Sequence, residues 1–248
     1  MSYEVFSSVY DSLTENVSYA QIADKICSLC AENGISGGLL LDLGCGTGNL
    51  SFLLEKRGFD VIGVDASGDM LSVAYEKKSE NGSSALFLNQ RAQELDLYGT
   101  INCAVCCLDT VNHFGDSAEI KKAFERVSLF LEPKGVFILD FNTEFKHREI
   151  LKDNTFVYDI DGVYCVWQNT YDSGKNRTQV DLDFFLEDEE TGLYERQSES
   201  FFEYACSLEE ITKILKECGL TVKNSFGGWN GEPIGGSTQR IVLIAEKE

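Results

Sequence analysis

The sequence predicts an α/β fold, a mostly parallel sheet with helices on both faces, interrupted late by an antiparallel β insertion. Three observations predict it. Strand-like and helix-like segments alternate from residue 39 to residue 141. A glycine-rich junction, Asp42-Leu43-Gly44-Cys45-Gly46-Thr47-Gly48, joins the first strand of that run to a helix. After about residue 150 the alternation gives way to short strands separated by turn dipeptides.

Each element has a local reason. Ser18 and Gln21 have the spacing of a capping box, Ile22, Ile26 and Leu29 make one helical face, and Gly34 stops that helix. The apolar run Leu39–Leu41 predicts a buried strand over 39–43, and Leu50, Leu53 and Leu54 predict a helix over 49–57. A strand over 60–65 and a helix over 68–79 follow, then short strands near Ala85–Leu88 and Ala104–Leu108. Asp116 and Glu119 open a helix over 117–131 that turns Ile120, Phe124, Val127 and Leu131 inward. Pro133 and Gly135 close it, and Val136–Phe141 is the fifth strand. Between Phe156 and Tyr204 the pieces TFVYDI, VYCVWQNTY, TQVDLDFFL and ERQSESFFEYA predict an antiparallel meander. Asp161-Gly162, Ser173-Gly174 and Thr191-Gly192 supply its turns. A helix over 208–218, opened by Ser207 and Glu210 and closed by Gly219, leads to strands Leu220–Phe226 and Ile241–Glu246. The expected organisation is a core of residues 1–150 and 206–248, with residues 151–205 as an inserted β-rich cap.

Composition narrows the function classes. The 248 residues carry 21 basic and 41 acidic side chains, a net charge of −20 with no basic patch to override it. That field repels a phosphate backbone, so no nucleic-acid partner is expected. No segment has the apolar length of a membrane span, and MSYEVFSSVYDS lacks the regions of a signal peptide. Nine cysteines without an export signal point to reduced thiols in the cytoplasm. Cys27 and Cys30 form C-x-x-C inside a helical pattern with no second pair, so no metal site is expected. Cys103, Cys106 and Cys107 belong to a buried strand as small hydrophobes. The oligomeric state is left open.

The glycine junction carries the chemistry. Glycines let the chain turn tightly and let a ligand approach bare backbone. The second strand ends in Asp65, 21 residues beyond Gly44, where an acid receives ribose hydroxyls. A dinucleotide site wants a small residue where this chain has Asn49, and Asp42 before the glycines opposes a pyrophosphate while suiting a cation. S-adenosylmethionine brings a ribose, an ammonium and a sulfonium. A nicotinamide-dependent oxidoreductase and a non-catalytic S-adenosylmethionine-binding module are the rival readings.

The D-x-G-x-G-x-G motif, the segment FSSVYDSLTENVSYAQIAD, VIGVDAS-GDML, LDTVNHF, L-E-P-K-G-V-F-I-L-D, SLEEITKILKECGL and QRIVLIAEK together resemble small class I S-adenosylmethionine-dependent methyltransferases of bacterial type. The resemblance covers nearly the full length. It implies a Rossmann-like sheet ending in an antiparallel hairpin, a cap over the acceptor pocket, and methyl transfer from S-adenosylmethionine to a small molecule. By the same resemblance Gly44, Cys45 and Gly46 offer backbone to the methionine part, with Asp42 near its ammonium. Asp65 holds the ribose; Ala66 and Met70 flank the adenine, with Ala92 and Gln93 beside it. Arg91 stands where an Asp is common, so Gln93 is the expected partner of the adenine amino group. Leu108 meets the methionine part by its carbonyl, and Tyr10 and Tyr19 form an aromatic pair over the cofactor.

The sulfonium already activates the methyl group, so no protein nucleophile is needed; positioning carries the reaction. A base matters where the acceptor must lose a proton. His113, just past the fourth strand at the carboxyl edge of the sheet, is the candidate base. His147 is a weaker candidate, and Asp109 and Asn142 lie at the same edge. Nine acids and one base, Arg196, lie between Asp181 and Glu203. A solvated outer face is the favoured reading of these acids; any that face inward would suit a cationic or amine-bearing acceptor.

Overall fold

The computed structural model describes residues 4–248 apart from Asp161 and Glu189, so Asp161 of the expected Asp161-Gly162 turn lies outside the described residues. Helices α1 (Glu4–Leu13) and α2 (Tyr19–Glu32) lead into β1 (Gly38–Leu43). Then come α3 (Asn49–Glu55), β2 (Phe59–Asp65), α4 (Gly68–Asn81), β3 (Leu86–Asn89), β4 (Ile101–Cys106), α5 (Ser117–Phe130) and β5 (Leu131–Asn142). Four strands follow, β6 (Thr155–Ile160), β7 (Val163–Asp172), β8 (Arg177–Glu187) and β9 (Tyr194–Tyr204). The chain closes with α6 (Leu208–Glu217), β10 (Leu220–Gly227) and β11 (Arg240–Lys247).

The main sheet has the order β10-β11-β5-β4-β1-β2-β3. Its pairs are parallel except at β11, which runs antiparallel to both β5 and β10. Alternation along the strands loads both faces. Leu41, Leu43, Ala104, Cys106, Phe137 and Leu139 enter one core under α5 and α6, while Leu40, Cys103, Val105, Val136 and Ile138 enter the other with α2 and α3. Strand order reverses between β1 and β4, which leaves a crevice at their carboxyl ends.

The meander forms a second sheet, β6-β7-β8-β9, each strand antiparallel to the next. It has its own small core of Cys165, Val180, Leu182, Phe184 and Phe201, and Phe6 and Val9 of α1 pack into it. Two buried polar staples fix this sheet to the main one. Asn112 donates to the carbonyls of Asn142 (3.0 Å) and Tyr204 (2.7 Å), and His147 Nδ1 lies 2.9 Å from Thr178 Oγ1.

Local expectations fail in identifiable places. Ser18 makes no side-chain cap bond, so α2 lacks the expected capping box. Ser207 does cap Glu210 N–H at 3.1 Å, but the Glu210 carboxylate turns to the Ser117 hydroxyl instead of completing the box. Leu39 is exposed because β1 enters from the surface at its first two residues. Strand β4 ends at Cys106, since Leu108 and Asp109 turn left-handed with φ of 57° and 59°. Strand β5 begins at Leu131, before Pro133, because Leu131 already pairs with Ile101.

Candidate active site

The glycine turn is built for close approach. Gly44 has φ +78°, and a Cβ there would sit 2.2 Å from Thr110 Cγ2; at Gly46, φ +53°, a Cβ would meet no atom within 4 Å. The amides at the first three positions of the turn are already spent. Gly44 and Cys45 N–H donate to Val64 O at 2.7 and 3.1 Å, and Gly46 N–H donates to Asp65 Oδ2 at 2.8 Å. The turn therefore offers a ligand carbonyl oxygens instead of amides, which suits a cationic group.

Asp65 ends β2 with its other oxygen accepting Ser67 N–H at 2.8 Å. Each oxygen keeps further acceptor capacity, and the side chain lines a cavity of about 420 Å³. Gly44, Ala66, Ala92, Gln93 and His113 share that lining. The volume falls in the roughly 300–1,000 Å³ range of small-molecule sites. Gln93 donates its amide to Phe114 O at 2.9 Å, which turns its carbonyl oxygen into the available acceptor. Met70 is buried in the first turn of α4 and lines no part of this cavity.

A narrower cleft continues on the other side of Gly44, lined by Tyr10, Tyr19, Asp42, Cys45, Gly46 and Leu108. Asp42 is buried and accepts from Ser51 Oγ at 2.5 Å. Burial pushes its carboxyl up to about 6; Ser51 works against the shift and Asp65 adds to it. Burial likewise raises the Tyr10 hydroxyl well above its ordinary value, reinforced by Tyr19. Asp11, next to Tyr10, accepts from Thr47 (2.8 Å) and Asn49 (2.9 Å) of the glycine segment and pairs with Lys77 of α4. Helix α1 is thereby tied across the cleft.

The left-handed turn at Leu108 and Asp109 rests on a buried ion network. Asp140, fully buried in β5, accepts both turn amides at 3.0 and 2.8 Å, Trp229 Nε1 at 2.8 Å and Arg240 at 2.6 Å. Arg240 also reaches Asp109 at 2.8 Å. Burial opposes the charge on Asp109, but Arg240 and Lys146 outweigh it and hold its carboxyl below the usual range.

Beyond this turn a third cavity, of about 190 Å³, lies between the two sheets, lined by Asp109, Asn142, Lys146, Trp167 and Glu203 among others. His113 Nε2 stands 4.0 Å from Glu203 Oε1, and its ring packs on Phe201 at 5.3 Å, so it lies between the first and third cavities. His147 is fully buried, and burial lowers its imidazole to about 4, which keeps it neutral. Of the nine acids from Asp181 to Glu203, only Glu203 is buried among the described residues; Glu187, Asp188, Glu190 and Glu195 are exposed.

Comparison with known proteins fits this geometry. Residues 40–135 match a family model described as a methyltransferase domain. The chain is 30% identical to the putative methyltransferase YqeM of Bacillus subtilis (strain 168) over 248 residues, covering all of this chain and 98% of the relative. It superposes on the crystal structure of an S-adenosylmethionine-dependent methyltransferase from Clostridium acetobutylicum with a TM-score of 0.89 at 32% identity, over 99% of this chain and 98% of that one. The chain belongs to the S-adenosylmethionine-dependent methyltransferases. The methyltransferase fold extends to more distant structures. CalS10, an amino pentose methyltransferase from Micromonospora echinaspora bound to S-adenosylmethionine, aligns with a TM-score of 0.77 at 20% identity, over 98% of this chain and 97% of that one. This methyltransferase therefore uses S-adenosylmethionine as its methyl donor. Among the described residues no helix is long and apolar enough to cross a membrane.

Several side chains that shape the site escaped the sequence reading. Asp140 interrupts the apolar run VFILDFN, and an acid inside a buried strand requires a partner. Glu203 shares the strand face of Phe201 in SESFFEYA, so its inward direction was readable from parity alone. Asp11 carried no comparable signal, because its partners are 36 or more residues away.

Proposed function

We propose that this enzyme methylates a small molecule held in the cavity between the main sheet and the β6–β9 sheet. The observation that carries the reading is the placement of His113, on the wall of the donor-side cavity and 4.0 Å from Glu203 in the cap-side cavity. In this reading residues 151–205 act as the acceptor cap, and residues 1–150 and 206–248 bind the donor. All nine cysteines are unbridged, which supports a reducing cytoplasm as its place of action.

When bound, S-adenosylmethionine supplies a methyl group activated by its sulfonium. The chain's residues do the rest. Asp65 receives the ribose hydroxyls, Ala66 and Ala92 line the adenine space, and the Gln93 carbonyl accepts from the adenine amino group. Asp42 and the carbonyls of Gly44 and Leu108 surround the methionine ammonium, while Tyr10, Tyr19 and Cys45 exclude water. His113 takes the acceptor's proton. A positioned base contributes on the order of 10²–10⁴ in rate. His113→Ala should therefore cut turnover, read as S-adenosylhomocysteine release, by about a hundredfold or more. Its calorimetric affinity for S-adenosylhomocysteine should not change. Equal turnover in the variant removes His113 from the mechanism.

The raised Asp42 gives a second test. In the free protein this acid costs stability as pH rises from about 4 to 6, because the buried site prefers the proton. A ligand ammonium beside it restores the charged form. At pH 6 the binding of S-adenosylhomocysteine should thus release about half a proton from Asp42, falling toward zero by about pH 8. Calorimetry in two buffers of different ionisation enthalpy reads this release. Asp42→Asn should abolish it; a release that survives the substitution places the ammonium elsewhere.

A further inference from the structure

Glu203 is the acid this structure leaves unanswered. Its side chain is 3% exposed, yet Oε2 has no hydrogen-bond partner. Among the described residues no lysine or arginine nitrogen comes within the 4.0 Å of an ion pair; only the imidazoles of His113 and His147 stand at that limit. His147 is neutral at physiological pH. The cations nearby serve other acids. Arg240 is held by Asp140 and Asp109, and Lys146 donates to Asn142 Oδ1 at 3.0 Å, balancing Asp109 first and reaching Glu203 only from beyond ion-pair distance. A buried carboxylate without a counter-charge is costly, and in a cavity wall the missing partner is supplied by what enters the cavity.

The rest of the wall limits that visitor. Phe156, Tyr158, Trp167, Ile150 and Leu151 line the same 190 Å³ space, so its wall combines aromatic and aliphatic side chains with the polar Glu203, Asp109, Asn142 and Lys146, two acids against one cation. Aromatic faces and a carboxylate together favour a cation carried on an apolar body.

We propose that Glu203 is the acceptor-recognition group, and that the acceptor is a small primary or secondary amine whose apolar or aromatic body packs against Phe156, Tyr158 and Trp167. The inference rests on the methyl-transfer reading above and names the substrate class of that site. Recognition also prepares the nucleophile. An N–H bond of the bound ammonium breaks, its proton passes to the carboxylate as a new O–H bond, and the electron pair stays on nitrogen for the bond to carbon. Burial raises the Glu203 carboxyl above its usual range, with Asp109 adding to the shift and His113, Lys146 and the Asn142 amide working against it, which brings the acid closer to an amine in proton affinity. From the carboxyl the proton leaves by way of His113, 4.0 Å away.

The test uses the full chain saturated with S-adenosylhomocysteine and three probes of similar shape, 2-phenylethylamine, 2-phenylethanol and 3-phenylpropanoate. Calorimetry at pH 7.5 should show the amine binding at least tenfold more tightly than the alcohol. Glu203→Gln should bring the two within twofold, whereas Lys146→Met should keep the amine preference. Equal affinity of amine and alcohol in the unaltered protein, preference for the carboxylate, or no saturable binding of any probe overturns the proposal. The comparison in the unaltered protein needs no variant to fold. Binding of S-adenosylhomocysteine, recorded first in the same cell, separates the two readings: if it binds and the amine preference is absent, only the Glu203 assignment fails. If it does not bind, the donor reading falls and this inference with it.

Discussion

Replacing Arg240 with methionine is expected to destabilise the folded protein by about 3–5 kcal/mol. The guanidinium lies between two carboxylates, Asp140 at 2.6 Å and Asp109 at 2.8 Å, and Asp140 is fully buried. Their charges hold Arg240 protonated even more firmly than usual, against the opposing effect of burial. Methionine fills comparable space but leaves Asp140 without a counter-ion and Asp109 with Lys146 alone, and an uncompensated buried charge costs more than the pair contributes. For a chain of this size the loss corresponds to a fall in melting temperature of roughly 6–20 °C. Asp140→Asn in the same background should recover part of it by removing one of the stranded charges. A methionine variant that melts with the parent protein would mean that Asp140 is already satisfied by the Leu108 and Asp109 amides and Trp229.

Asp65→Ala should weaken S-adenosylhomocysteine binding by about 3 kcal/mol, roughly 150-fold. Two ribose hydroxyls on an ionised carboxylate contribute about 1.5 kcal/mol each at the low end for charged hydrogen bonds. The substitution also frees the amides of Gly46 and Ser67, which Asp65 now accepts at 2.8 Å each. The glycine turn then loses its fixed shape along with its ligand contact. Titration calorimetry measures the affinity, and thermal melting of the free protein reports the loss of the turn separately. An unchanged affinity would remove Asp65 from the ribose site.

What could be read in the sequence was what local periodicity encodes. The alternation of Leu40 and Leu41, or Val105 and Cys106, between the two cores is a period of two written in neighbouring residues. The glycine turn was equally legible, since positive φ at Gly44, Gly46 and Gly48 demands that residue. Helix α1 was less so, although Phe6, Val9 and Leu13 recur on one face and all pack on the cap core. The site's ion network was not legible as a network. Asp140 and Arg240 are 100 residues apart, and only the β5–β11 pairing brings them together. The place of Met70, by contrast, is local: the Ser67 cap that opens α4 accepts its N–H, and its side chain is buried.

Helix α1 touches both the glycine segment and the β6–β9 sheet. At one end Phe6 stacks on Phe184 of the cap and its N–H donates to Glu199 at 3.0 Å; at the other Asp11 holds Thr47 and Asn49 of the glycine segment. Ten residues thus brace the glycine segment and the β6–β9 sheet with one helix, so the two are held in register by a single element.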